Sequence, residues 1–231
     1  VSAASVFVLT RMAIRASDPP APPSPPAVST AAEAARRGVV KVTGIARSCR
    51  KVIEGSGFVY APGHVMTAAH VVAGVDHRQR IIDDRSKVHD AKVVLFDPER
   101  DVAVLHVPTL RAQPLRFAEA GRNVPAVIAG HPHGADFSAT PATITATQNA
   151  SGRDLYETTD VVREVHTIRG EVQQGGSGSA LLSAGGRVYG MVFASASDQA
   201  GVGYALTSSE IAPQARAGAR LTEAVDTRDC D

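Results

Sequence analysis

Tryptophan is absent from this sequence and aromatic residues make up only 4% of it, so the apolar 44% is carried by Val, Leu, Ile and Ala. A core of that kind excludes extensive aromatic stacking and favours short strands of small branched side chains. Charge excess is also lacking. With 24 basic and 23 acidic residues the formal net charge is +1, which supplies no broad electrostatic surface for a polyphosphate and argues against a nucleic-acid partner. Cysteine is scarce: Cys49 and Cys230 stand alone. A structural metal site wants several ligands at close spacing, so no metal is expected. The pair is either two free thiols or one staple. Cys230 near the chain end favours the staple, since an unanchored tail would leave a reactive thiol exposed, and a staple implies an oxidising compartment.

Long hydrophobic runs are missing as well. The opening "VSAASVFVLTRMAIRAS" is broken by Arg11 and Arg15; it is too short for a membrane helix and lacks the order of regions that marks a signal peptide. An exported domain with these features is expected to be a piece of a longer chain.

Several features organise what is present. The tract "PPAPPSPP" over residues 19–26 predicts a semi-rigid polyproline spacer and a domain boundary. Beyond it, "STAAEAARRG" predicts a short helix with Thr30 as N-cap, Glu33 reaching back to it and Gly38 as the stop. From Val39 onward the chain becomes a series of short β-rich pieces separated by Gly, Pro and Asp, among them "VVKVTG", "GSGFVYA", "AKVVLF", "VPAVIAG" and "VGYALT". None is followed by a helix long enough for a parallel crossover, so the expected fold is antiparallel and all-β. The polar, proline-containing segment 108–123 divides two β units. "SSEIAPQARAG" predicts a brief terminal helix limited by Pro213 and Gly218, and no internal repeat is evident.

Three pieces carry chemistry: "VMTAAHVV" with His70, "DPERDVAVLHV" with Asp101, and "QQGGSGSALL" with Ser177. The chain order His, Asp, Ser is one of the known orders of an acyl-transfer triad and differs from that of the α/β-hydrolases. A serine hydroxyl needs a general base to attack a carbonyl at neutral pH, and His70 fits that role with Asp101 setting its tautomer. The developing oxyanion needs preset donors; the backbone N–H groups of Gly175 and Ser177 are the candidates, because glycines can turn amides inward. Ser177 is preferred to Ser179 since it follows two glycines and precedes Gly178, whereas Ser179 begins a strand.

These blocks resemble the trypsin-like, double β-barrel serine proteases, in particular the exported DegP/HtrA-like branch. "TAAHVV", "DVAVL" and "GGSGSALL" match that family's three catalytic blocks, and "GSGFV" and "GRVYGMVFAS" extend the resemblance over most of residues 39–210. The resemblance implies two six-stranded antiparallel β-barrels with a short N-terminal helix. Its expected divisions are an extension over 1–38, a first barrel over 39–112, a second over 113–215, and a tail over 216–231 tied by a Cys49–Cys230 disulfide. It also implies peptide-bond hydrolysis of cell-envelope proteins without a cofactor, in support of acid or oxidative stress resistance. The setting it implies is periplasmic, as a monomeric domain of a membrane-anchored chain with protein or peptide substrates. Substrate contacts are expected from Gln174 and from Met191, Val192, Phe193 and Ala194. Two other activities stay open from the residues: an inactive protein-binding module, or an esterase using the same triad. Gly176 stands where the family has Asp or Asn, so activation by a carboxylate answering a newly cut N-terminus is excluded.

Overall fold

The computed structural model describes residues 21–46, 49–75 and 79–230. Readings that fall on residues 1–20, including the opening segment and the first two prolines of the tract, lie outside the described residues.

Helix α1 spans Pro25–Ala35, with Ser24 at its N-cap position and prolines in its first turn. This corrects the expected start. Thr30 is not the cap: its hydroxyl donates to the Pro26 carbonyl one turn back, at 3.0 Å. Proline is favoured at the first helical position, where its missing N–H is an orphan anyway and its fixed φ is already helical. The last two prolines of the tract therefore open the helix instead of extending the spacer. Ala31 and Ala35 are buried, and the helix packs on the second sheet.

Twelve strands follow. The first six are β1 (Val39–Ala46), β2 (Lys51–Ala61), β3 (His64–Thr67), β4 (Gln79–Ile82), β5 (Val88–Asp97) and β6 (Val102–His106). They close into an antiparallel barrel in the order β1-β2-β3-β6-β5-β4. The second six are β7 (Val124–Gly130), β8 (Ser138–Arg153), β9 (Asp160–Arg169), β10 (Ala180–Leu182), β11 (Val188–Ser195) and β12 (Val202–Thr207). Their closed order is β7-β8-β9-β12-β11-β10. Counted from the start of each barrel, the two orders are the same topology. Closure removes the exposed edges that would otherwise invite pairing with other chains. The fold class expected from the sequence is the one observed, although β4 was not among the predicted strands.

Apolar side chains fill both barrels. Phe58, Met66, Ile81 and Leu105 are fully buried in strands of the first, and Ile144, Ile168, Leu181 and Leu206 in strands of the second.

Helix α2 spans Ser208–Gly218, longer than its Pro213 suggests. Thr207 caps it by accepting the Glu210 amide at 3.1 Å, and Ile211 anchors its apolar side in the core. The tail beyond it does not hang free. The Val225 amide donates to Val93 and the Gly74 amide to Thr227, and the tail ends at a disulfide between Cys230 and Cys49 with Cα atoms 6.3 Å apart. Among the described residues no helix is long and apolar enough to cross a membrane.

Candidate active site

Strand register explains why His70 and Asp101 meet. Antiparallel β3 and β6 pair Thr67 with Ala103, so the chain leaving β3 passes beside the turn that enters β6. His70 lies on a short 3-10 turn, Ala69–Val71, and Asp101 lies in the β5–β6 turn with a left-handed φ of 56°. The Asp101 carboxylate grips the histidine twice: one oxygen accepts the His70 backbone N–H at 2.9 Å and the other meets the ring Nδ1 at 2.7 Å. With the proton on Nδ1 donating to that carboxylate, Nε2 is the nitrogen that carries the lone pair. Asp101 is 6% exposed.

A residue that sequence reasoning missed supports this turn. Arg163 on β9 is buried and donates through Nε to the Glu99 carbonyl at 2.7 Å, two residues before Asp101. Burial pushes its guanidinium below the ordinary value, and the carboxylates of Asp101, Asp97, Glu210 and Asp154 act in the opposite sense. Nothing local in the sequence marks it, since its partner is 64 residues away.

Ser177 sits in the loop between β9 and β10. Its hydroxyl lies 3.5 Å from the Phe193 carbonyl. The backbone around it is sewn to the first barrel, because the Ser56 amide on β2 donates to the Ser177 carbonyl at 2.9 Å. Gly178, with φ +83°, lies against the same strand; a Cβ there would stand 2.0 Å from the Ser56 carbonyl and 2.6 Å from Thr67 Oγ1. Gly55 is wedged between the two halves, since a Cβ on it would meet the Val71 side chain at 2.6 Å and the Ser177 carbonyl at 3.3 Å. The Ser177 loop thus packs against the strands that lead to His70. Ser179 points elsewhere: it is buried, with its hydroxyl against Gly130.

The Gly176 amide donates to Gln173 at 2.9 Å and the Gly178 amide to Val192 at 2.8 Å. Among the described residues the amides of Gly175 and Ser177 make no backbone hydrogen bond. His70, Glu54, His133, Gln174 and Gly175 line one cleft of about 640 Å³.

Two of the expected substrate contacts are corrected. Met191 and Val192 are fully buried, one in each hydrophobic cluster, so their side chains belong to the core. Phe193 is 6% exposed and presents its carbonyl to Ser177, while Ala194 is half-buried. The break comes at a register shift between Val192 and Ala194 in the β11–β12 pairing. Strand β11 pairs with β10 only as far as Met191 but with β12 through Ser195, so among the described residues no strand covers its other edge at Ala194 and Ser195.

His131, the first histidine of the sequence "HPHG" at 131–134, is buried and its Nδ1 meets the Ala135 carbonyl at 3.1 Å. Burial pushes its imidazole below the ordinary range.

Two six-stranded barrels with a His–Asp pair on one and a glycine-flanked serine loop on the other define the class, and residues 55–191 match the model of the trypsin-like peptidase domain. The chain belongs to that family. It is 45% identical over 196 residues to serine protease Rv3671c of Mycobacterium tuberculosis, across 83% of this chain and 48% of that protein. It is 32% identical over 177 residues to a probable periplasmic serine endoprotease DegP-like of Halomonas elongata, across 70% of this chain and 35% of that one. The chain therefore spans about half or less of the length of these curated relatives. The crystal structure of Rv3671c protease from M. tuberculosis, in its active form, superposes with a TM-score of 0.88 at 41% identity, covering 96% of this chain and 99% of that one.

Proposed function

We propose that this chain is the catalytic domain of a serine endopeptidase. Ser177 Oγ attacks the scissile carbonyl while His70 Nε2 takes its proton, and the acyl-enzyme forms as the same proton passes to the departing amine. Water, deprotonated by His70, then releases the acyl group. Asp101 holds the ring in the tautomer this needs and stabilises the imidazolium that forms. The amides of Gly175 and Ser177 receive the oxyanion. No step calls on a metal or organic cofactor.

The observation that carries this reading is the double grip of Asp101 on both the backbone and the ring of His70, in the barrel whose strand β2 bonds the Ser177 loop. The edge at Ala194 and Ser195 suits an extended peptide added as a further antiparallel strand, with Gln174 at the mouth of the cleft and the Phe193 backbone beside the reacting serine. With the barrels divided at 39–112 and 113–215, the proposed acid–base pair belongs to the first and the proposed nucleophile to the second.

The disulfide and the DegP-like relative, described as periplasmic, support an extracytoplasmic setting. In that setting cell-envelope proteins are the substrates, and their cleavage supports resistance to acid and oxidative stress. The full protein is tethered to the membrane by segments outside this chain, with this domain monomeric.

A fluorophosphonate probe tests the chemistry. Covalent labelling of the wild type, mapped to Ser177 and lost in S177A, is the expected result. Absence of labelling at every pH from 5 to 8 overturns it, and labelling with ester but no peptide turnover replaces it with an esterase.

A further inference from the structure

We propose that Ser56, Lys41 and Glu54 of the first barrel are positioning residues for the oxyanion site, acting through the "HPHG" turn at 131–134. They hold the Gln174–Gly175 peptide so that the Gly175 N–H faces the substrate carbonyl before substrate arrives. The proposal rests on the serine-protease reading above.

In a planar trans peptide the C=O and N–H point in opposite directions. Whatever holds the Gln174 carbonyl therefore also aims the Gly175 amide. That carbonyl accepts the His133 backbone N–H at 2.7 Å. The next carbonyl, of Gly175, accepts the Ser56 hydroxyl at 3.1 Å. With both flanking carbonyls held and φ at +79°, Gly175 has little freedom left. It also lies directly on the turn: a Cβ there would stand 2.7 Å from His133 N. The Gly175 amide is thus directed away from the turn by the His133 bond, while the Ser56 bond fixes the peptide that follows, and neither bond involves the triad.

The turn needs holding in its own right. His133 and Gly134 are consecutive left-handed residues, with φ of 53° and 62°, and a side chain in that region persists only where its surroundings fix it. The surroundings come from one hairpin of the other barrel. Ser56 Oγ accepts the His131 N–H at 2.8 Å, so one buried hydroxyl ties both the turn and the oxyanion loop. Lys41 Nζ donates to the Gly134 carbonyl at 2.5 Å and pairs with Glu54 Oε1 at 3.0 Å. The Glu54 carboxylate lies on Gly134, where a Cβ would come within 2.5 Å of it. Lys41 and Ser56 are direct cross-strand partners on β1 and β2. Burying a hydroxyl and most of a lysine at this seam costs desolvation that an apolar contact would not. What the polar arrangement provides is direction.

The test compares wild type, S56A and K41M for peptide turnover, fluorophosphonate labelling and thermal midpoint. It adds the affinities of a peptide boronate, which forms a tetrahedral oxyanion-like adduct, and of the same peptide without the electrophile. In S56A kcat is expected to fall about 10- to 100-fold, bounded by the loss of one oxyanion donor. KM and plain-peptide affinity stay within about twofold, and boronate affinity falls with kcat, as transition-state stabilisation requires. K41M shows the same pattern at about 3- to 10-fold, scaled down from that bound. If S56A does not fold, K41M on the seam's rim decides by the same criteria. Unchanged kcat in a labelled, folded variant overturns the proposal, and so does an equal loss of boronate and plain-peptide affinity. A wild type that the probe does not label overturns the protease reading, and this proposal with it.

Discussion

The two barrels share one topology and are secured in different ways. In the first, His70 and Asp101 belong to neighbouring turns, and the bonds between them are short-range consequences of the β3–β6 register. In the second, the Ser177 loop is anchored from both sides, by Val192 and His133 of its own barrel and by the Ser56 amide and hydroxyl and the packing of Gly178 on Thr67 of the other. The His70–Asp101 pair is thus formed within one barrel, with Arg163 of the other bracing the turn that carries Asp101. The Ser177 loop lies where the barrels meet, so its geometry depends also on how they are docked.

Four changes break or sharpen that contrast. The largest effect is expected from D101N, which leaves the fold intact but presents an amide N–H to His70 Nδ1 and so favours the wrong tautomer. Turnover should fall by about 10⁴-fold with an unchanged thermal midpoint; a decrease below tenfold in steady-state kinetics would show that Asp101 does not set the ring.

Next is C230S. The bridge closes a separation of 181 residues, for which the chain-entropy model gives about 5 kcal/mol and measured losses commonly run from about 2 to 5 kcal/mol. Chemical denaturation of wild type and C230S, with and without reductant, measures the loss, and reductant should leave C230S unaffected.

G178A is third. The added methyl would press on the Ser56 carbonyl at a left-handed φ, so turnover should drop at a stability loss of about 1–3 kcal/mol. Equal activity and stability would mean the seam between the barrels is soft.

The smallest effect concerns Asp154, at the end of the β8–β9 hairpin. Burial pushes its carboxyl up, but bonds from the Thr158 hydroxyl and the amides of Thr159 and Thr158 outweigh it, and the net shift is downward. A depressed folded value means the contribution is present above the unfolded pKa, about 3.9, and is lost as pH falls through the lower folded value. D154N should lower stability at pH 7 by about 1 kcal/mol and flatten the decline below about pH 4, as read by thermal melts between pH 2 and 7.

The sequence was most informative where function rests on local pattern. "TAAHVV" and "GGSGSA" placed the histidine and the serine because each lies at a strand end beside a turn, and the β-rich pieces dictated an all-β fold. Strand β4 escaped notice because four residues are too few to display a period of two. The misplaced helix cap has a different cause: Thr30 and Glu33 form a plausible capping box, and the first-turn prolines override it. Met191 and Val192 were expected in the pocket because nothing in "GMVFAS" announces that both faces of the strand are covered as far as Val192. Ser56 was legible only as part of a glycine-rich strand; its hydroxyl partners lie 75 and 119 residues away, beyond any motif.

The bridge from Cys230 to Cys49 has one more consequence. Any single backbone scission between those positions leaves both pieces covalently joined, with each barrel's closed hydrogen-bond network still holding the ends in place. An enzyme that meets other hydrolases, or further copies of itself, would survive an accidental nick without shedding a fragment. Damage to such a molecule becomes visible on a gel only after a thiol reagent is added.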